Sequence, residues 1–146
     1  MLTLTINVGR SALLMTVCSS LVYGVYRHVA WDGLVVGRGG SKIRAEVSME
    51  GGKTPGTTTV QMSLKGDVPG VARPWHVHVG SCSKAGGVFG SAAAYPPIKV
   101  SATGTSESQA TLRISLPESG SYYVNIHESA AKMSSVIACG DLFLEE

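Results

Sequence analysis

The chain has 146 residues, 18 of them glycine, with 6% aromatic content and a formal net charge of +2. That length holds one domain with a core large enough for a sandwich or barrel, and hardly leaves room for a second. Arg10 and Arg27 supply the excess charge. From Trp31 onward the cations equal the ten acidic residues, so no basic stripe invites nucleic acid and no strong field steers an anionic substrate.

In chain order, Ser11 to Tyr26 is a run of sixteen residues without a charge, bounded by Arg10 and by Arg27 with His28. As a helix it spans roughly 24 Å, slightly short of a hydrocarbon core unless Val29 and Ala30 lengthen it. No small-x-small cleavage site follows the run, and Val17 before Cys18 does not suit a lipoprotein signal. The segment 1–31 therefore reads as an uncleaved, single-pass membrane anchor, with Tyr23, Tyr26 and Trp31 suited to an interface belt. Packing of such a helix against other transmembrane helices predicts partners in a larger membrane complex, besides membrane lipid.

Residues 32–146 form the second predicted unit. Asp32 to Gly40 reads as a short extended piece and a glycine-rich link. Ile43, Ala45, Val47 and Met49 alternate with Lys42, Arg44, Glu46 and Ser48, and Val60, Met62 and Leu64 alternate likewise, which predicts two half-buried strands joined as a hairpin. Gly80 to Pro97 reads as irregular structure, Ile98 and Val100 as a short edge strand, and Ser101 to Gln109 as a polar loop. Strands follow over Ala110 to Leu116, Tyr122 to His127 and Val136 to Leu144. Some seven strands punctuated by turns predict an all-β Greek-key sandwich.

The chemistry concentrates in Trp75-His76-Val77-His78-Val79. Alternation along a strand puts His76 and His78 on one face and Trp75, Val77 and Val79 on the other. Two imidazoles held this way can grip one metal ion if a third ligand arrives; they can equally be histidines on a solvated face with no ligand role. His127, on another strand and sharing a face with Tyr123 and Asn125, is the natural third ligand. Cys82 and Cys139 either form a bridge or are two separate thiols. Ser81 and Ser83 lack a partner for a hydrolytic triad, and Glu128 beside His127 alternates to the other face or begins a loop. No catalytic residue and no organic cofactor site is assigned.

Taken together, His76-Val77-His78, Cys82-Ser83-Lys84-Ala85-Gly86-Gly87-Val88-Phe89, Val124-Asn125-Ile126-His127-Glu128 and Ala138-Cys139-Gly140 resemble the copper/zinc superoxide dismutase family over roughly the last seventy residues. The resemblance implies an eight-stranded Greek-key barrel, copper ligands at His76, His78 and His127, and a Cys82–Cys139 disulfide. It also exposes departures. Val88 stands where the family places its bridging histidine, no histidine or aspartate lies between Phe89 and Val100, and Val136 stands where the family carries its anion-binding arginine. Copper is thus the expected metal and zinc is not expected.

A disulfide belongs in an oxidising compartment, which puts the C-terminal domain on the periplasmic or extracytoplasmic side of the membrane. The resulting expectation is a non-catalytic accessory or structural subunit of a membrane complex, contacting other subunits through the helix and the β domain. The alternative is a copper-binding protein or copper-only superoxide dismutase with three histidine ligands.

Overall fold

Alternating apolar residues bounded by glycine turns make strands, and a computed structural model describing residues 28–145 shows little else. The expected N-terminal transmembrane helix lies, up to residue 27, outside the described residues; among those described, no helix is long and apolar enough to cross a membrane. The elements are β1 (Ala30–Gly37), β2 (Arg44–Gly51), β3 (Thr58–Lys65), β4 (Ala72–Arg73), β5 (Trp75–Val79), a 3-10 turn at Ala92–Ala94, β6 (Ile98–Lys99), β7 (Thr105–Leu112), β8 (Tyr122–Ser129) and β9 (Lys132–Glu145).

Seven strands form one antiparallel sheet in the order β5-β8-β9-β1-β2-β3-β7, curled into a half-barrel. The small β4-β6 ribbon links its two ends, β4 lying beside β8 and β6 beside β7. Inside the curl, Val35, Ile43, Met49, Val60, Met62, Trp75, Val77, Leu112, Val124 and Ile126 are all essentially inaccessible. Full burial of each such side chain contributes on the order of 2 kcal/mol. The irregular passage after β5 supplies part of this core: Phe89 and Tyr95 are buried, and the Trp75 indole, edge-on to Tyr95, donates to the carbonyl of Pro96 at 2.8 Å.

Several expectations change. The stretch from Asp32 belongs to a full central strand, paired with β2 on one side and β9 on the other. Trp31, expected at a membrane interface, sits in β1 at 3% exposure, with its indole donating to the Pro117 carbonyl at 2.8 Å. Thr105 to Gln109 is not a loop but half of β7, in continuous register with β3 from Thr105↔Lys65 to Leu112↔Thr58. Thr105, Glu107 and Gln109 are exposed and the alternating Ser106 and Ser108 half-buried on an edge strand, where the ladder fixes the conformation without an apolar pattern. The strand expected to run to Leu116 ends at Leu112, and β9 begins four residues before Val136. Val79, assigned to the core face, is 47% exposed at the end of β5, where it still pairs with Tyr122.

Cys82 and Cys139 form a disulfide with Cα atoms 6.0 Å apart and a sequence separation of 57. It pins the loop after β5 to β9 near the middle of the sheet. Loop-closure entropy for that separation is worth roughly 4 kcal/mol. Replacing both cysteines by serine should lower the urea midpoint of the full-length chain correspondingly, with the m-value little changed; an unchanged midpoint would show the tether to be idle.

Candidate metal centre

β5 pairs antiparallel with β8, setting His76 opposite Asn125 and His78 opposite Tyr123, while Trp75 and Val77 face the core with Val124 and Ile126. β8 then loses register with β9 on either side of His127. Such an irregularity re-aims a side chain that regular pairing would hold elsewhere. The three rings converge: centroids of His76 and His127 are 5.5 Å apart, His76 and His78 5.8 Å, and His78 and His127 6.4 Å. Each offers one nitrogen, and these three nitrogens all lie within 4.8 Å of one another, close enough to bind one metal ion.

Their hydrogen bonding is incomplete. His78 Nδ1 donates to the Gly86 carbonyl at 3.0 Å, which fixes the proton on that nitrogen and leaves Nε2 as a lone-pair donor. Buried Nε2 of His78, and both Nδ1 and Nε2 of His127, have no hydrogen-bond partner. Buried polar atoms are almost always paired, so unpaired nitrogens on His78 and His127, in a cluster where each ring offers one nitrogen to the same space, mark room for a ligand. Gly86 is itself clamped. Its N–H donates to the Tyr123 hydroxyl at 3.3 Å, and a Cβ there would collide with the Val79 carbonyl, so only glycine brings this carbonyl to His78. The Tyr123 ring stacks on His78 with centroids 5.1 Å apart, and Tyr95 packs edge-on against His76.

Burial, then the neighbouring His127 and His78, pushes the His76 imidazole down to about 4. Burial likewise lowers His127, opposed only in part by the nearby Met133 backbone, which makes no well-formed hydrogen bond to the ring. Both rings therefore favour the neutral, ligating form.

Other candidate residues fall elsewhere. Val88 forms an isolated backbone bridge with His78, and Val136 pairs with His127, so the positions of the missing histidine and arginine adjoin the cluster with apolar side chains. Glu128 is turned to Lys132 at 2.7 Å, and Ser81 and Ser83 bond one another at 3.0 Å. Met133 is an exposed residue of β9. Cys18 and Met15 lie outside the described residues.

Sequence reading missed Arg73 and Asp67. Arg73 Nε and Nη2 donate to the two carboxylate oxygens of Asp67, each at 2.8 Å, and Nη1 donates to the Glu128 carbonyl at 2.6 Å. Burial raises the Asp67 carboxyl, but the hydrogen bonds from Arg73 and the Val68 amide outweigh it and hold the group below its ordinary value. The only signal in the sequence was an arginine three residues before His76.

In the metal-free chain, folding holds His76 and His127 neutral while the unfolded chain takes up protons below its ordinary value of about 6.5. For His76, stability is then full above about 6.5 and falls as pH drops toward 4, on the order of 1 kcal/mol per pH unit, and His127 acts in the same direction. Urea midpoints of chelator-treated protein at pH 7.5, 6 and 5 should fall in that order, and His76→Gln should flatten the slope. Equal slopes in wild type and variant would contradict the buried neutral imidazole. Compared with known proteins, the chain matches no family model and no curated protein.

Proposed function

We propose that the β domain holds one copper ion through His76, His78 and His127, and that it does so as a membrane-tethered, extracytoplasmic accessory module rather than as an efficient superoxide dismutase. The observation that carries this reading is that His76, His78 and His127 each offer one nitrogen within 4.8 Å of the others, with buried nitrogens of His78 and His127 lacking any hydrogen-bond partner. The donor set is imidazole alone, which suits copper, and three such donors satisfy Cu(I) while leaving Cu(II) a position for water or an outside ligand.

The architecture adds support for a superoxide dismutase-like fold. From β3 the chain crosses to the opposite edge at β5 and returns as β7 beside β3, the over-and-back path of a Greek key. The Cys82–Cys139 disulfide joins the same segments that the family resemblance implies. Copper would supply the domain with a one-electron couple. The chain's own residues fix three ligands, set the His78 tautomer through Gly86 and shield one side of the site with Tyr123 and Tyr95.

Rapid turnover of superoxide is disfavoured by Val88 and Val136. Neither can donate a proton, and Val136, opposite His127, brings no cation to the site. Arg73, the basic side chain nearest in sequence, has its guanidinium engaged by Asp67 and Glu128. The accessory role rests on the apolar run from Ser11 to Tyr26 and on this lack of catalytic equipment.

Full-length chain extracted from membranes in mild detergent should contain one copper per chain and co-migrate with larger partners. His127→Ala should weaken copper binding by more than the roughly 10- to 100-fold that loss of a ligand's hydrogen-bond partner costs. Native material without copper that also takes up none from a competing chelator would end the metal reading; chain found only as free monomer would end the accessory one.

A further inference from the structure

The irregularity at His127 raises a question of support. Ladder hydrogen bonding, which holds His76 and His78 in a straight strand, is interrupted where the third ring turns inward. Two adjacent residues replace it. The Pro74 carbonyl accepts the His127 N–H at 2.9 Å, and the Arg73 guanidinium donates to the carbonyl of Glu128, the next residue, at 2.6 Å. The backbone is thus gripped at His127 and Glu128 by the dipeptide that precedes Trp75 and His76.

Arg73 is in turn held rigid. Its other two donors are taken by Asp67, and the side chains of the pair are 13% and 4% exposed, respectively. Asp67 is fixed by its own backbone, its N–H donating to Gly104 at 3.3 Å, and its side chain accepts from the Val68 amide at 2.7 Å. A planar guanidinium engaged by a bidentate carboxylate has one orientation left, and it uses that orientation to reach Glu128. Lysine cannot make the same three contacts.

We infer that Arg73, oriented by Asp67, is a positioning residue for the metal centre, holding the bulged backbone at His127 so that its imidazole meets those of His76 and His78. This inference rests on the copper-binding reading above for its functional meaning, and on backbone contacts alone for its structural content. Arg73 touches no ring of the cluster; it acts through the Glu128 carbonyl.

Its test uses the full-length chain, with Cu(II) as the probe. Arg73→Met and the charge-conserving Arg73→Lys should both speed copper loss to a chelator by about 10- to 100-fold. Both should also alter the Cu(II) hyperfine pattern in electron paramagnetic resonance. Asp67→Asn should do the same more mildly. Met62→Ala, a core variant in β3 remote from this contact, should lower stability yet leave the copper spectrum as in wild type. Wild-type spectra and dissociation rates in both Arg73 variants, or the same spectral change in Met62→Ala, would overturn the inference.

A readout without metal separates it from the copper reading. In chelator-treated protein, amide exchange at His127 should accelerate at least tenfold in Arg73→Met while that of Val124 holds. If wild type binds no copper, the functional reading fails and this exchange result alone decides whether Arg73 positions His127. Unchanged exchange at His127 would sink the proposal even if copper binds. Should Arg73→Met fail to fold, Arg73→Lys and Asp67→Asn carry both measurements.

Discussion

A β-strand presents alternate side chains to opposite faces, and five residues of this chain use both faces fully. Trp75 and Val77 enter the core, where neither is accessible to solvent, so the strand cannot slip or rotate without exposing them. His76 and His78 are consequently fixed on the other face. Their spacing follows from the pleat and their direction from the burial of Trp75, with no contribution needed from the histidines themselves. The apolar core thus does the geometric work for a polar cluster in which burial lowers the proton affinity of His76 and His127.

The third ring is held differently. β8 departs from regular pairing at His127, and the local backbone is secured from outside its own ladder by Pro74 and Arg73. The loop after β5 is likewise secured from a distance. Cys82 is bonded to Cys139 and its N–H donates to the Asp141 carboxylate at 2.7 Å, so both attachments run to β9. That loop carries Gly86, whose carbonyl selects the His78 tautomer. Two tethers on two strands therefore bear on the same cluster, one through the backbone at His127 and one through the hydrogen bond to His78.

How much of this was legible in the sequence follows from what each residue is held by. Strands fixed by burial were readable: Ala45, Val47 and Met49 in β2 and Val60, Met62 and Leu64 in β3 alternate because alternate positions are inaccessible. β1 was not, since it is interrupted by Gly33, where an added Cβ would strike the Asp141 carbonyl, and carries Leu34 at 67% exposure. The first half of β7 was hidden for a related reason, its side chains being polar and its conformation set by the ladder with β3. The histidines and cysteines announced themselves by type and spacing. Arg73, Asp67 and the Gly86 carbonyl did not, because their role depends on backbone groups brought together from distant parts of the chain.

The departures from the superoxide dismutase pattern acquire a physical meaning in this light. At both Val88 and Val136 the structural duty is carried by the backbone: Val88 bridges to His78 and Val136 pairs with His127. The backbone pairing itself needs only extended geometry, although the Val88 side chain also packs, partly buried, against the core. The side chains that cannot change freely are Trp75, Val77, Gly86 and the Arg73–Asp67 pair, and these all act on where the three imidazoles stand. The molecule therefore separates two requirements that a redox enzyme must meet together. Holding three imidazoles together is built into the sheet and its tethers; at Val88 and Val136 the adjoining side chains offer neither a proton donor nor a cation.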